Sequence, residues 1–114
     1  MITFACKKIE QEDLIRCSFD INKTEYNVLM FMFRKKEQLS VSKIAELMNL
    51  ERTTIQKAIK TLLKKNLVKR MQTNLPKGGY VFLYKINNHE KIKKKMKKTI
   101  FEWYQSVKIA IEKL

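Results

Sequence analysis

Apolar residues recur at helical spacings of three and four through the first half of the chain, alternate from Leu67 to Ile86, and return to helical spacing after Asn87. A first helix is expected over 9–17, where Ile9, Leu14, Cys6 and Cys17 are interspersed with Lys, Glu, Gln and Asp. Asn22 followed three residues later by Glu25 is an Asn version of the capping box, with Ile21 and Tyr26 at the staple positions, so a second helix begins at Lys23. From Val28 to Phe33 that helix is apolar on every side, which requires cover on opposite faces and makes it the central core helix. Ser40 is the expected N-cap of a short helix over 41–48, with Ile44, Ala45, Leu47 and Met48 inward, and Asn49-Leu50 breaks the period.

The next helix is expected over 52–65. It carries Ile55, Ala58, Ile59, Leu62 and Leu63 on one face and Arg52, Thr53, Gln56, Lys57, Lys60 and Lys64 on the other, with Asn66 at the left-handed position that ends it. Two strands over 67–73 and 80–86 are joined by Asn74-Leu75-Pro76-Lys77-Gly78-Gly79, whose Pro and paired Gly predict a hairpin. The last helix starts near Asn87 or Asn88, where Asn87 and Glu90 have capping-box spacing, and runs to Leu114, about 37 Å at 1.5 Å per residue. Its stripe of Ile92, Met96, Ile100, Trp103, Val107, Ala110 or Ile111, and Leu114, widened by Phe101 and Tyr104, is longer than a small domain can cover. No internal repeat interrupts this order.

Two short helices joined by a tight turn, the second basic and followed at once by a hairpin, spell a winged helix-turn-helix. Ala45 lets the two helices approach, Asn49 stands at the turn where Gly is usual, and Ile55 and Ala58 pack the second helix on the first. The expected class is mainly α with a small β-hairpin wing (α+β). Its parts are an N-terminal helical segment over 1–19, the winged helix-turn-helix over 20–87, and a long C-terminal dimerisation helix over 88–114, with the N-terminal segment joining the dimer interface.

Composition narrows the function. At 114 residues and 45% hydrophobic, the chain is too apolar for disorder and has no run of about 18 apolar residues to cross a bilayer. With 2 Gly, 1 Pro and 1 His it offers no phosphate loop, metal cluster or catalytic triad, so neither enzyme chemistry nor a metal or other cofactor is expected. The net charge of +14 is unevenly placed: residues 1–50 hold 8 basic and 7 acidic side chains, residues 51–114 hold 17 and 4. Between Arg52 and Lys98 Glu90 is the lone acid against 15 bases, which points to a polyanion, although the excess of Lys over Arg also fits the bias of heat-adapted sequences. The start Met1-Ile2-Thr3-Phe4-Ala5-Cys6 has no secretory pattern, so a cytoplasmic protein is expected. Cys6 and Cys17, eleven apart on one helix face, are too distant to bridge; they read as buried small hydrophobes, or as a subunit bridge or thiol switch.

Three stretches, 39–48 from Leu39 to Met48, 52–59 from Arg52 to Ile59, and 74–80 from Asn74 to Tyr80, resemble archaeal winged-helix transcriptional regulators related to the MarR and TrmB families, in a short form without an effector domain. Glu102-Trp103-Tyr104 is similar to that form's tail, and the likeness runs from about Asp20 to Leu114. It implies a sequence-specific, double-stranded DNA-binding dimer that regulates transcription and sets its second motif helix in the major groove. An inverted-repeat operator would match such a dimer, and a small-molecule effector is left open.

Read from side-chain chemistry, Arg52, Thr53, Thr54, Gln56 and Lys57 are residue types that reach base edges or phosphates, while Lys60 and Lys64 lie further along for backbone. Lys69, Arg70 and Lys77 around Gly78 and Gly79 would lay the wing on backbone or in a minor groove. Ile92, Met96, Ile100, Trp103, Tyr104, Val107 and Ile111 form the expected dimer interface, and the aromatic pair is read as interface core rather than as a base-stacking platform. The lysines from Lys91 to Lys98 are either a solvated face or a flank of the phosphate footprint, and His89 is a helix-start residue. Two other readings stay open: an architectural DNA coat, and a winged-helix module that binds RNA or an acidic protein.

Overall fold

The computed structural model describes residues 2–114 and orders them as β1 (Ile2–Phe4), β2 (Lys7–Ile9), α1 (Gln11–Phe19), α2 (Lys23–Lys35), α3 (Val41–Met48), α4 (Arg52–Lys64), β3 (Val68–Asn74), β4 (Tyr80–Ile86) and α5 (His89–Glu112). The chain divides into two compact units, one from Ile21 to Asn87 and one made of the segments up to Asp20 and from Asn88 to Leu114.

In the central unit α2 opens on the capping box: Asn22 Oδ1 accepts from the Glu25 N–H at 2.8 Å, and Glu25 Oε1 accepts from the Asn22 N–H at 2.9 Å. Its apolar run is covered on more than one face, with Val28, Leu29, Phe31 and Met32 buried and Met30 and Phe33 half-buried. Ser40 caps α3 by accepting from the Lys43 N–H at 3.1 Å. Ile44 and Ala45 point inward as expected, but Leu47 is exposed and Met48 only half-buried, because eight residues make barely two turns and Val41 supplies the third inward position instead. Ile55, Ala58, Ile59 and Leu62 of α4 close the core with Leu67, Val68, Tyr84 and Ile86.

The hairpin pairs antiparallel from Val68 opposite Ile86 to Asn74 opposite Tyr80. A third backbone segment joins it: the Leu39 N–H donates to the Tyr84 carbonyl at 2.9 Å, and the Tyr84 N–H returns to the Leu39 carbonyl at 2.8 Å. A single bridging residue carries no alternating pattern, so sequence periodicity does not disclose this link. It ties the start of α3 to the wing. The far end of β4 is fastened to the α4–β3 junction, since the Asn87 side chain donates to the Asn66 carbonyl at 2.7 Å.

The other unit differs more from expectation. Its N-terminal segment is not helical throughout: β1 and β2 form a short antiparallel hairpin, Ile2 opposite Ile9, and α1 follows two residues later than the spacing suggests. Strands of three residues are too short to show alternation, and the Ala5-Cys6 turn lacks Gly, Asn and Pro. Cys6 lies in that turn and Cys17 on α1; both are exposed free thiols rather than buried hydrophobes on a common helix. Cys17 is two positions, about 200°, around α1 from the buried Ile15. The N-cap of α5 is Asn88, whose Oδ1 accepts from the Glu90 N–H at 2.8 Å and the Lys91 N–H at 3.3 Å. Within this unit α1 packs against α5, and Ile15, Phe19 and Ile92 are buried. No helix among the described residues is long and apolar enough to cross a membrane.

Candidate nucleic-acid interface

The motif turn holds α3 and α4 at a fixed angle through a left-handed residue. Asn49 has φ 56° and ψ 47°; its N–H donates to the Glu46 carbonyl at 3.2 Å, and the Leu50 N–H to the Ala45 carbonyl at 3.0 Å. These two bonds are the Schellman pattern, and they satisfy carbonyls that the end of α3 would otherwise leave open. The same pattern ends α4, where Asn66 has φ 59° and the Leu67 N–H donates to the Leu62 carbonyl at 3.0 Å. Asn replaces Gly at both places because its short polar side chain tolerates this conformation. Ala45 and Ala58 are both buried where α3 packs on α4.

With one face of α4 closed by the core, Arg52, Thr53, Gln56, Lys57, Lys60 and Lys64 remain exposed on the other, over about three turns. Thr54 departs from this set: it is half-buried and lines a cleft with Met30, Arg34, Met48 and Leu50. The wing residues do not form one group. Lys77, Gly78 and Gly79 are at the tip, where the Gly78 N–H donates to the Leu75 carbonyl at 3.1 Å and Pro76 occupies the second position of the turn. Gly78 and Gly79 have φ 89° and 78°, and a Cβ at either would meet nothing within 4 Å. Backbone conformation, rather than crowding, calls for glycine there.

Lys69 and Arg70 sit down the stem, four or five residues from Asn74 and therefore about 14 Å or more from the tip at 3.4 Å per residue. Register puts them on opposite faces, with Lys69 opposite Lys85 and Arg70 opposite Tyr84. Lys85 is a base that spacing alone did not single out, and its signal is the cross-strand register. Arg70 is also engaged: its guanidinium carbon lies 4.5 Å from the centroid of the Phe82 ring.

The expected dimer stripe separates into covered and open parts. Ile92 is only 5% exposed, so its side chain is already covered within its own chain and is not free for a partner. Met96 and Val107 are half-buried, whereas Ile100, Trp103, Tyr104 and Ile111 are open, together with Phe101 and Ile109. Among the described residues no group of His, Cys, Asp or Glu is placed to hold a metal ion.

Residues 15–90 match the family model described as "Sugar-specific transcriptional regulator TrmB". An uncharacterized protein of Methanocaldococcus jannaschii is 36% identical over 103 residues, which cover 90% of this chain and 77% of that protein. The solved structure named "Possible transcriptional regulator from Methanosarcina mazei Go1" superposes with a TM-score of 0.91 at 29% identity, over 99% of this chain and 95% of that one. An S. aureus MepR mutant bound to an oligodeoxyribonucleotide shares the fold, with a TM-score of 0.58 at 15% identity over 85% of this chain and 70% of its own. The matched family is one of transcriptional regulators, and the Methanosarcina structure is named a possible one. With its winged helix-turn-helix in place, the chain belongs to the TrmB family of transcriptional regulators.

Proposed function

We propose that the chain is a homodimer that binds a specific inverted-repeat site in double-stranded DNA. In this reading α4 lies in the major groove and the wing meets backbone or minor groove. The observation that carries it is the exposed face of α4. Arg52, Thr53, Gln56 and Lys57 stand in its first two turns, held out by a helix-turn-helix whose turn is locked. Arg and Lys suit guanine O6 and N7, Gln suits adenine N6 and N7, and Thr suits a phosphate or a thymine methyl. Half-burial leaves Thr54 to support the helix through the cleft rather than to reach a base.

The dimer rests on the open half of α5. Trp103, Tyr104, Ile109 and Ile111 are each more than half exposed, and together with Phe101 they leave more apolar surface than a monomer tolerates. Pairing about a two-fold axis covers that surface, and a two-fold dimer of this class reads two half-sites about 34 Å apart on one side of the duplex. Selection of bound sites from random duplex DNA tests the reading. The expected product is an inverted repeat with half-sites centred about 10 base pairs apart. Retention of all duplexes alike would favour an architectural coat, and preference for RNA would overturn the assignment.

A further inference from the structure

The stem of the wing carries an ordered row of side chains, of which only Arg70 belongs to the bases read above as wing contacts. Residues 70, 72 and 74 of β3 and 80, 82 and 84 of β4 share one face of the hairpin, closed at its base by the buried Tyr84 opposite Arg70 and open beyond it, with Gln72 directly opposite the half-buried Phe82 and Asn74 opposite Tyr80. On that face the Tyr80 and Phe82 rings meet edge to face, with centroids 5.2 Å apart at 61°, and Arg70 lies over the Phe82 ring at 4.5 Å. Tyr80 is 57% exposed, and Arg70, Gln72 and Asn74 are exposed too. No acid occurs between Leu67 and Asn87, so the guanidinium has no carboxylate within its own hairpin.

From this arrangement we infer that the wing meets DNA along this face as well as at its tip, with Arg70 and Tyr80 donating to backbone phosphates and Phe82 acting as the positioning residue for Arg70. The inference rests on the DNA-binding function proposed above. A guanidinium stacked on a ring keeps its N–H edges free, and their planar fork matches two phosphate oxygens. Stacking also confines a long side chain before DNA arrives, so less freedom is lost on binding. The Tyr80 hydroxyl, on a ring braced by Phe82, donates to a phosphate about two strand positions, some 7 Å, further out. The competing reading is that the row merely staples the two strands, as cross-strand pairs do. The two differ in one respect: a staple acts on DNA binding whether or not Arg70 is present, and a positioning residue acts only through it.

A double-mutant cycle on the full chain separates them, with duplex affinity measured across a salt series on the site that selection returns. Arg70→Ala is expected to weaken binding roughly tenfold or more and to reduce the log-log salt slope by about 0.9. Phe82→Leu should weaken it about fivefold, and Phe82→Tyr, which keeps the ring, should hold wild-type affinity within about twofold. In the Arg70→Ala background Phe82→Leu should then cause no further loss. Tyr80→Phe, which removes only the hydroxyl, should weaken binding roughly tenfold. Multiplying losses for Arg70→Ala and Phe82→Leu, or a Phe82→Tyr variant as weak as Phe82→Leu, would overturn the positioning role. Wild-type affinity in Tyr80→Phe would overturn its phosphate contact. A wild-type protein that ignores duplex DNA overturns the proposed function along with this inference; one that selects a site while the cycle is additive overturns the inference alone.

Discussion

The central unit and the second half of α5 handle apolar surface in opposite ways. From Ile21 to Asn87 the large apolar side chains are mostly closed in: Val28, Leu29, Ile44, Ile55 and Leu62 are inaccessible, and charge is left outside. From Ile100 onward the helix carries most of its apolar residues in the open, with Trp103 and Ile111 each 60% exposed. Both regions are regular structure, so the difference lies in what each lacks. The central unit lacks a counter-charge, and the end of α5 lacks an apolar cover. In the function proposed above, a polyanion meets the first deficit and a second copy of the chain the second.

Salt should act on the two regions in opposite ways. If the basic face of α4 and the wing neutralises on the order of 6 to 10 phosphates per dimer, affinity for duplex DNA should fall by about 10³–10⁵ between 50 and 200 mM salt. Dimerisation through the apolar end of α5 should not weaken over the same range, since apolar burial is not screened. A titration at several salt concentrations, with sedimentation run in parallel, checks both. A log-log slope shallower than about −3 would mean that the basic surface does not face DNA, and a dimer that dissolves in salt would mean that α5 is not its seam.

Removing residues 99–114 attacks the other partner. The full chain should sediment as a dimer at micromolar concentration, and the shortened chain as a monomer whose affinity for the inverted repeat is lower by roughly 10²–10⁴, the gain that linked half-sites normally provide. A monomeric full-length protein, or a shortened one that still dimerises, defeats the proposal. Equivalent truncations inside each region sharpen it further. Leu62→Ala should destabilise by about 2–5 kcal/mol at every protein concentration, because it leaves a cavity in a closed core. Ile109→Ala should lower the urea midpoint only at concentrations where the dimer forms.

What could be read beforehand follows the same division. Between Ile21 and Asn87 each element has its own signal: a capping box at Asn22, a cap at Ser40, left-handed Asn49 and Asn66, and the Pro76-Lys77-Gly78-Gly79 turn. Those signals are local, and the elements lie within a residue or two of expectation. The β1–β2 hairpin, the Leu39 bridge and the split of the wing bases between stem and tip all depend on pairing across the fold, which spacing along one strand does not encode. The basic face of α4 was legible because helical period alone fixes it. The inward turn of Thr54 and the cover over Ile92 were not, because both depend on neighbouring elements.

Two substitutions test how the exposed side chains divide the work. Gln56→Ala should change the bases preferred at one position in each half-site, a discrimination of about 1–3 kcal/mol, while Lys77→Ala should weaken all sequences alike and reduce the salt slope by about one. Repeating the site selection with each variant checks this. An unchanged preferred site with Gln56→Ala removes that residue from base reading.

The smallest expected effect is at the turn itself, where the central unit holds its shape by backbone conformation rather than burial. Asn49 is exposed, yet its φ of 56° is a conformation that costs a residue with a plain Cβ about 1 kcal/mol or more. Asn49→Ala should therefore lower stability by about 1 kcal/mol, whereas Asn49→Gly should leave it unchanged within about 0.5 kcal/mol, since glycine adopts this conformation freely but loses more freedom on folding. Urea unfolding of the two variants decides between conformation and side-chain contact as the origin of the effect. Equal destabilisation by Ala and Gly would mean that the amide of Asn49 makes a contact that matters. In that event the motif turn would resemble the end of α5, a place that depends on what its side chains touch, rather than the closed unit to which it belongs.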